Sequence, residues 1–77
     1  MKIDVKAVAA TLNKIMEYEL AGTVRCTHYS LMTYGYNRIP IVSWLRSQAT
    51  ESLAHATAAG ELITQLGEHP SLLQQHL

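Results

Sequence analysis

Between Ile41 and Leu66 the chain places apolar and polar residues with a helical period. Ile41, Leu45, Gln48, Ser52, His55, Ala59, Leu62 and Leu66 follow at steps of 3 or 4, the spacing that keeps side chains on one face of an α-helix. Both ends of this stripe are apolar, and its middle is a polar patch of Gln48, Glu51, Ser52 and His55. Polar groups on a buried face cost free energy unless something satisfies them. Two readings of His55 follow. It is a hydrogen-bonded core residue, or it is a metal ligand with Glu51, since the two lie about 40° apart on a helix of 3.6 residues per turn.

Upstream, Asp4 is placed to cap a second long helical pattern. From Val5 to about Tyr34 there is no proline, and only Gly22 interrupts the pattern. One stripe runs Val5, Val8, Leu12, Met16, Glu19, Thr23, Cys26 and Ser30, apolar at first and small or polar after Met16. A second stripe carries Leu20, Val24, Leu31 and Tyr34, so this helix needs two partners. Gly35, Tyr36, Asn37 and Arg38 form the break, with Gly35 suited to a C-cap and Asn37 to a turn. Pro40 suits the first turn of the next helix. Gly67 and Pro70 end that helix. The pattern predicts a single all-α domain over residues 1–77: an antiparallel two-helix hairpin with helices at about 5–34 and 41–66, a turn at 35–40 and a short tail at 67–77.

The hairpin brings two odd residues to one height. Glu19 lies 16 residues before Gly35 and His55 lies 15 after Pro40. At 1.5 Å per residue both sit about 22–24 Å from the turn. A carboxylate and an imidazole at one level satisfy each other or share an ion.

Composition narrows the setting. The chain has 77 residues, one cysteine and equal numbers of basic and acidic side chains, 6 each. A chain this short buries a marginal core and needs a staple. One cysteine excludes an internal disulfide, leaving a metal, self-association or both. No basic stripe points to nucleic acid, no run of 18 apolar residues spans a membrane, and no signal peptide is legible at the start. A soluble cytoplasmic protein is expected.

One hairpin supplies Glu19, Glu51 and His55, which is thin for a carboxylate and imidazole site. A two-fold dimer doubles the set. In di-iron bundles, one Glu from each of two helices joins a Glu-x-x-His pair from each of the other two. Here the spacing is Glu51-x-x-x-His55, and Ser52 stands where Glu-x-x-His would place the carboxylate.

The run LNKIMEYELAGTVRCTHYSLM, followed by GYNRIPIVSWLRSQATESLAHATAAGELITQLGEHPSL, resembles the first two helices of the bacterioferritin-like branch of the ferritin-like superfamily. The resemblance rests on Leu12-Asn13-Lys14, Glu19-Leu20 and His55-Ala56 in their joint spacing. Members of that branch are four-helix bundles of about twice this length, so the chain resembles half a bundle whose other half comes from a second copy or is lost. The resemblance implies that Glu19 and His55 match iron ligands and that the bridging glutamate falls at Ser52, beside Glu51. It also puts Cys26 where a tyrosine is usual, and Leu53 where the haem-ligating methionine would stand, so no haem is expected.

The remaining candidates read as structural. His28 lies about 180° from Glu19 and belongs to the surface or a dimer interface. His69 and His76 are tail residues in solvent. Cys26 reads as a small buried residue with no basic group one turn away. Tyr29, Tyr34 and Tyr36 are expected to pack against Trp44 near the turn. Glu17 is roughly 160° from Glu19 and cannot share its face. The leading expectation is a homo-oligomer of even number that binds iron, two ions per bundle, at Glu19, Glu51 and His55, with ferroxidase-type oxidation of Fe(II) by oxygen. Manganese and zinc suit the same ligands. The alternative is a non-catalytic ferritin-like hairpin that serves as an assembly or interaction module.

Overall fold

The computed structural model describes residues 3–36 and 38–72, which form an all-α hairpin of two 28-residue helices, α1 (Val5–Met32) and α2 (Arg38–Gln65). Asp4 starts α1: its backbone is extended, and its carboxylate accepts a hydrogen bond from the Ala7 N–H at 3.2 Å. That bond satisfies one of the N–H groups that a helix start leaves unpaired.

α1 stops at Met32, two residues short of the expected end. Thr33 is extended, and its carbonyl accepts from Arg38 Nε at 3.1 Å. α2 then begins at Arg38, three residues early. Pro40 becomes its third residue, where a missing N–H is harmless. Gly35 makes the reversal with φ 113°, a value that strains residues bearing a Cβ. The turn expected at Asn37 lies outside the described residues.

The C-terminus of α2 closes by a paired motif. The Gly67 N–H donates to the Thr64 carbonyl at 3.0 Å and the Glu68 N–H to the Ile63 carbonyl at 3.2 Å, with Gly67 at φ 80°. This is the two-bond glycine cap of helix ends. Beyond it the chain turns back along α1. Lys6 Nζ meets Glu68 Oε1 at 3.4 Å, and the Ser71 N–H donates to Asn13 Oδ1 at 2.8 Å. Tail residues His76 and 73–77 as a whole lie outside the described residues.

The helices are antiparallel, since contacts climb one as they descend the other. Gly60 faces Met16 and Gly22 faces Ser52, while Thr23 Oγ1 donates to the Ala49 carbonyl at 3.4 Å. The seam on α2 is buried at Val42, Ala49, Ala56, Ala59 and Ile63. It is therefore rotated by about one position from the expected stripe, sharing Ala59 with it. On α1 the buried residues are Ala9, Met16, Glu17, Ala21 and Ser30; Met16 and Ser30 lie on the expected stripe, whereas its Val5 and Val8 are exposed. Most seam residues are small. The apolar cluster is Met16, Ala56, Ala59 and Ile63, with Leu12 and Leu20 packed against it.

Small side chains fill most of the seam. A Cβ on Gly22 would lie 3.4 Å from Ser52 Oγ, and one on Gly60 3.4 Å from Met16 Sδ. The bulky residues are left outside. Val8, Ile15, Tyr29, Ile41, Trp44 and Leu62 are all exposed. The tyrosines do not pack against Trp44 as expected: Tyr34 and Tyr36 project from the turn, and Trp44 itself is 61% exposed.

Candidate metal centre

Glu19 and His55 meet across the hairpin. His55 Nδ1 lies 3.5 Å from Glu19 Oε1. The shared height follows from helical rise and from the position of the break, both set locally. The burial is different from expectation. The His55 side chain is 66% exposed and that of Glu19 28%, so His55 is not a core residue. It stands on the flank of α2, one position from buried Ala56, because Ala56 rather than His55 enters the tight seam.

Glu51 is exposed, one turn before His55 on the same flank. Trp44, Glu51, His55 and Leu62 fall within about 20° of one direction on α2 when each residue advances 100°. On α1 the corresponding direction is marked by Val8, Ile15 and Glu19, with Tyr29 beyond. The contact from Glu19 to His55 puts the two sets on one side of the hairpin. This open face is therefore apolar at both ends, with a polar band at mid-height. Glu19 also borders a shallow depression lined by Lys14, Ile15 and Tyr18, so its carboxylate is reachable from solvent.

The donor pair suits a divalent ion. Two donors held about 2.1 Å from one ion at a tetrahedral angle are about 3.4 Å apart, close to the observed spacing. The same spacing is long for a strong hydrogen bond. Yet among the described residues no group of three or more His, Cys, Asp or Glu side chains converges in one copy.

The sequence pattern missed Glu17, whose side chain is buried on a different face of α1. It stands one turn beyond Asn13, the residue that holds the Ser71 backbone. That tail contact has no periodic signal in the sequence. Cys26 is half-buried, and His28 is exposed beside Tyr29, with ring centroids 6.2 Å apart.

A sequence model of the ferritin-like domain family matches residues 9–77. The chain belongs to the ferritin-like family. Members of this family generally bind iron and usually oligomerise. Comparison with curated proteins and with solved structures gave no significant match. The family match covers both helices, so the Glu19 and His55 pair lies inside a ferritin-like hairpin. No helix among the described residues is long and apolar enough to cross a membrane.

Proposed function

We propose that two copies of this hairpin pair through the open face into a four-helix bundle of the bacterioferritin-like type, and that the joined half-sites bind iron. Glu19 and His55 of each copy are the core ligands, and Glu51 supplies a further carboxylate. The observation that carries the reading is the approach of Glu19 to His55 across the helices at 3.5 Å. In the assembled site Fe(II) is a substrate. Two Fe(II) ions release one electron each, and with two protons these reduce O2 to H2O2. Carboxylates offset the rising positive charge on the iron. The same donors accept manganese and zinc. The one free thiol, Cys26, suits a reducing cytoplasmic setting.

Aerobic titration with Fe(II) tests the function, read by absorbance and by bound iron. A saturable fast phase is expected, lost in Glu19→Ala and His55→Ala. A parent protein that binds no iron would sink the proposal.

The exposure of His55 favours a second reading, in which the hairpin is an assembly module without catalysis and Glu19 simply partners His55. Under that reading His55→Leu leaves stability unchanged or raises it, and the parent protein binds Fe(II) no better than the variant does.

A further inference from the structure

We infer that the turn end of the hairpin is a lipid-binding tip: it enters the headgroup region of a bilayer that carries negative charge. Neither pairing nor iron is needed for this. The contact is peripheral, since no helix among the described residues is long and apolar enough to cross a bilayer. Leu31, Met32, Tyr34, Tyr36 and Ile39 gather at the turn and are 58–107% exposed. Leu31 and Met32 stand about 120° and 140° from Glu19 on α1, and Ile39 about 160° from His55 on α2. Apolar side chains therefore leave the tip on several sides, outside the open face through which copies would pair.

The backbone of the tip is bonded within itself. Thr33 Oγ1 donates to the Tyr29 carbonyl at 2.9 Å. Arg38 Nε donates to the Thr33 carbonyl at 3.1 Å, and the Arg38 N–H to the Gly35 carbonyl at 3.2 Å. Carbonyls at a helix end otherwise rely on water, and polar groups that enter an apolar phase without a partner cost free energy. These three carbonyls keep their partners when water is withdrawn.

Charge selects the kind of bilayer. From Leu20 to Thr50 the chain carries three arginines, Arg25, Arg38 and Arg46, and no Asp or Glu, a formal charge of +3. The acidic side chains of the hairpin all stand at mid-height or toward the other end. Arg25 lies over the Tyr18 ring at 6.0 Å. Arg38 and Arg46 are exposed and line one depression together with Ile39 and Val42. Interfacial segments bury their apolar groups to a depth of about 5–10 Å. Arg46 is about 12 Å along α2 from Arg38, which puts its guanidinium at the level of lipid phosphates. The long stem of Arg38 lets its charge reach back to the same level. Cations held there attract anionic lipid.

A protein partner suits the tip less well. The rod is 20 by 15 Å in cross-section, so a flat partner meeting its end covers far less than the roughly 800 Å² per side of a standard interface. A fluid interface closes around all sides of the tip.

The experiment is co-sedimentation of the full chain with vesicles of phosphatidylglycerol and, in parallel, of phosphatidylcholine, with a second set made from brominated lipid. Binding to phosphatidylglycerol is expected, and roughly tenfold weaker binding to phosphatidylcholine. Trp44 is the only tryptophan and lies about 9 Å along α2 from Arg38. Its fluorescence should be quenched by bromine placed high in the acyl chains. Arg38→Gln with Arg46→Gln should weaken binding to phosphatidylglycerol roughly tenfold or more, and Tyr36→Ser with Ile39→Ser should remove both binding and quenching. Leu53→Ser changes an exposed apolar residue about 22 Å along α2 from Arg38 and should bind as the parent does. Circular dichroism of each variant checks that the helices remain.

No binding to phosphatidylglycerol would overturn the lipid-binding tip, as would binding unchanged in both tip variants. Equal binding to the two lipids would overturn the role of the arginines. Polyglutamate bound as tightly as the vesicles would overturn the lipid as ligand and assign the tip to an acidic protein. Iron binding is read separately by the Fe(II) titration, so failure of one leaves the other standing.

Discussion

Ile63 shows how thin the hairpin's own core is. It is fully buried, and apart from Met16 its partners in the central cluster are alanines. Removing its side chain leaves a void that these short neighbours cannot fill. Ile63→Ala should lower unfolding free energy by about 2–5 kcal/mol, measured by urea denaturation at fixed protein concentration. For a chain of this size that is a large share of the total. His55 contrasts with it. A histidine one position outside the seam is free to bind, because its imidazole pays no burial cost while Ala56 takes the tight place beside α1.

At the scale of the element, each helix is bounded by local chemistry. Asp4 caps α1 and Gly67 ends α2. Gly67→Ala forces a Cβ into φ 80° and should destabilise the hairpin by about 1 kcal/mol, seen as an earlier thermal midpoint with helix content otherwise unchanged. The glycine cap also aims the following segment. After Gly67 the chain returns along α1, where Asn13 receives the Ser71 N–H. Lys6, Asn13 and Glu17 lie within about 40° on α1, so this track, among the described residues, follows the face away from Glu19.

For the whole molecule, large apolar residues outside and small ones inside are what the proposed pairing would cover. Trp44, Ile15 and Leu62 are each about half exposed or more, on the face that also carries Glu19 and His55. A hairpin stabilised by its partner has a midpoint that depends on concentration. In Fe(II), the thermal midpoint should rise as protein concentration increases, measured anaerobically by circular dichroism over a hundredfold range. A midpoint independent of concentration would mean that the hairpin is complete as a single copy.

The sequence by itself determined the two helices, their antiparallel return and the common height of Glu19 and His55. These depend on local quantities: the helical period, the caps at Asp4 and Gly67, the break at Gly35 and a rise of about 1.5 Å per residue. The family resemblance was legible for the same reason, since it rests on spacing along the helices, and the match over residues 9–77 agrees with it at the level of the ferritin-like domain. Tertiary structure decided the rotation of α2. Periodicity marks a face but does not say what covers it, and two neighbouring faces of α2 competed for α1. One offered Ala49, Ser52 and Ala56, the other Trp44, His55 and Leu62. The smaller set faces α1, with Ser52 at Gly22 and Met16 at Gly60. That choice put Glu51, His55 and bulky apolar residues together on the outside of the hairpin.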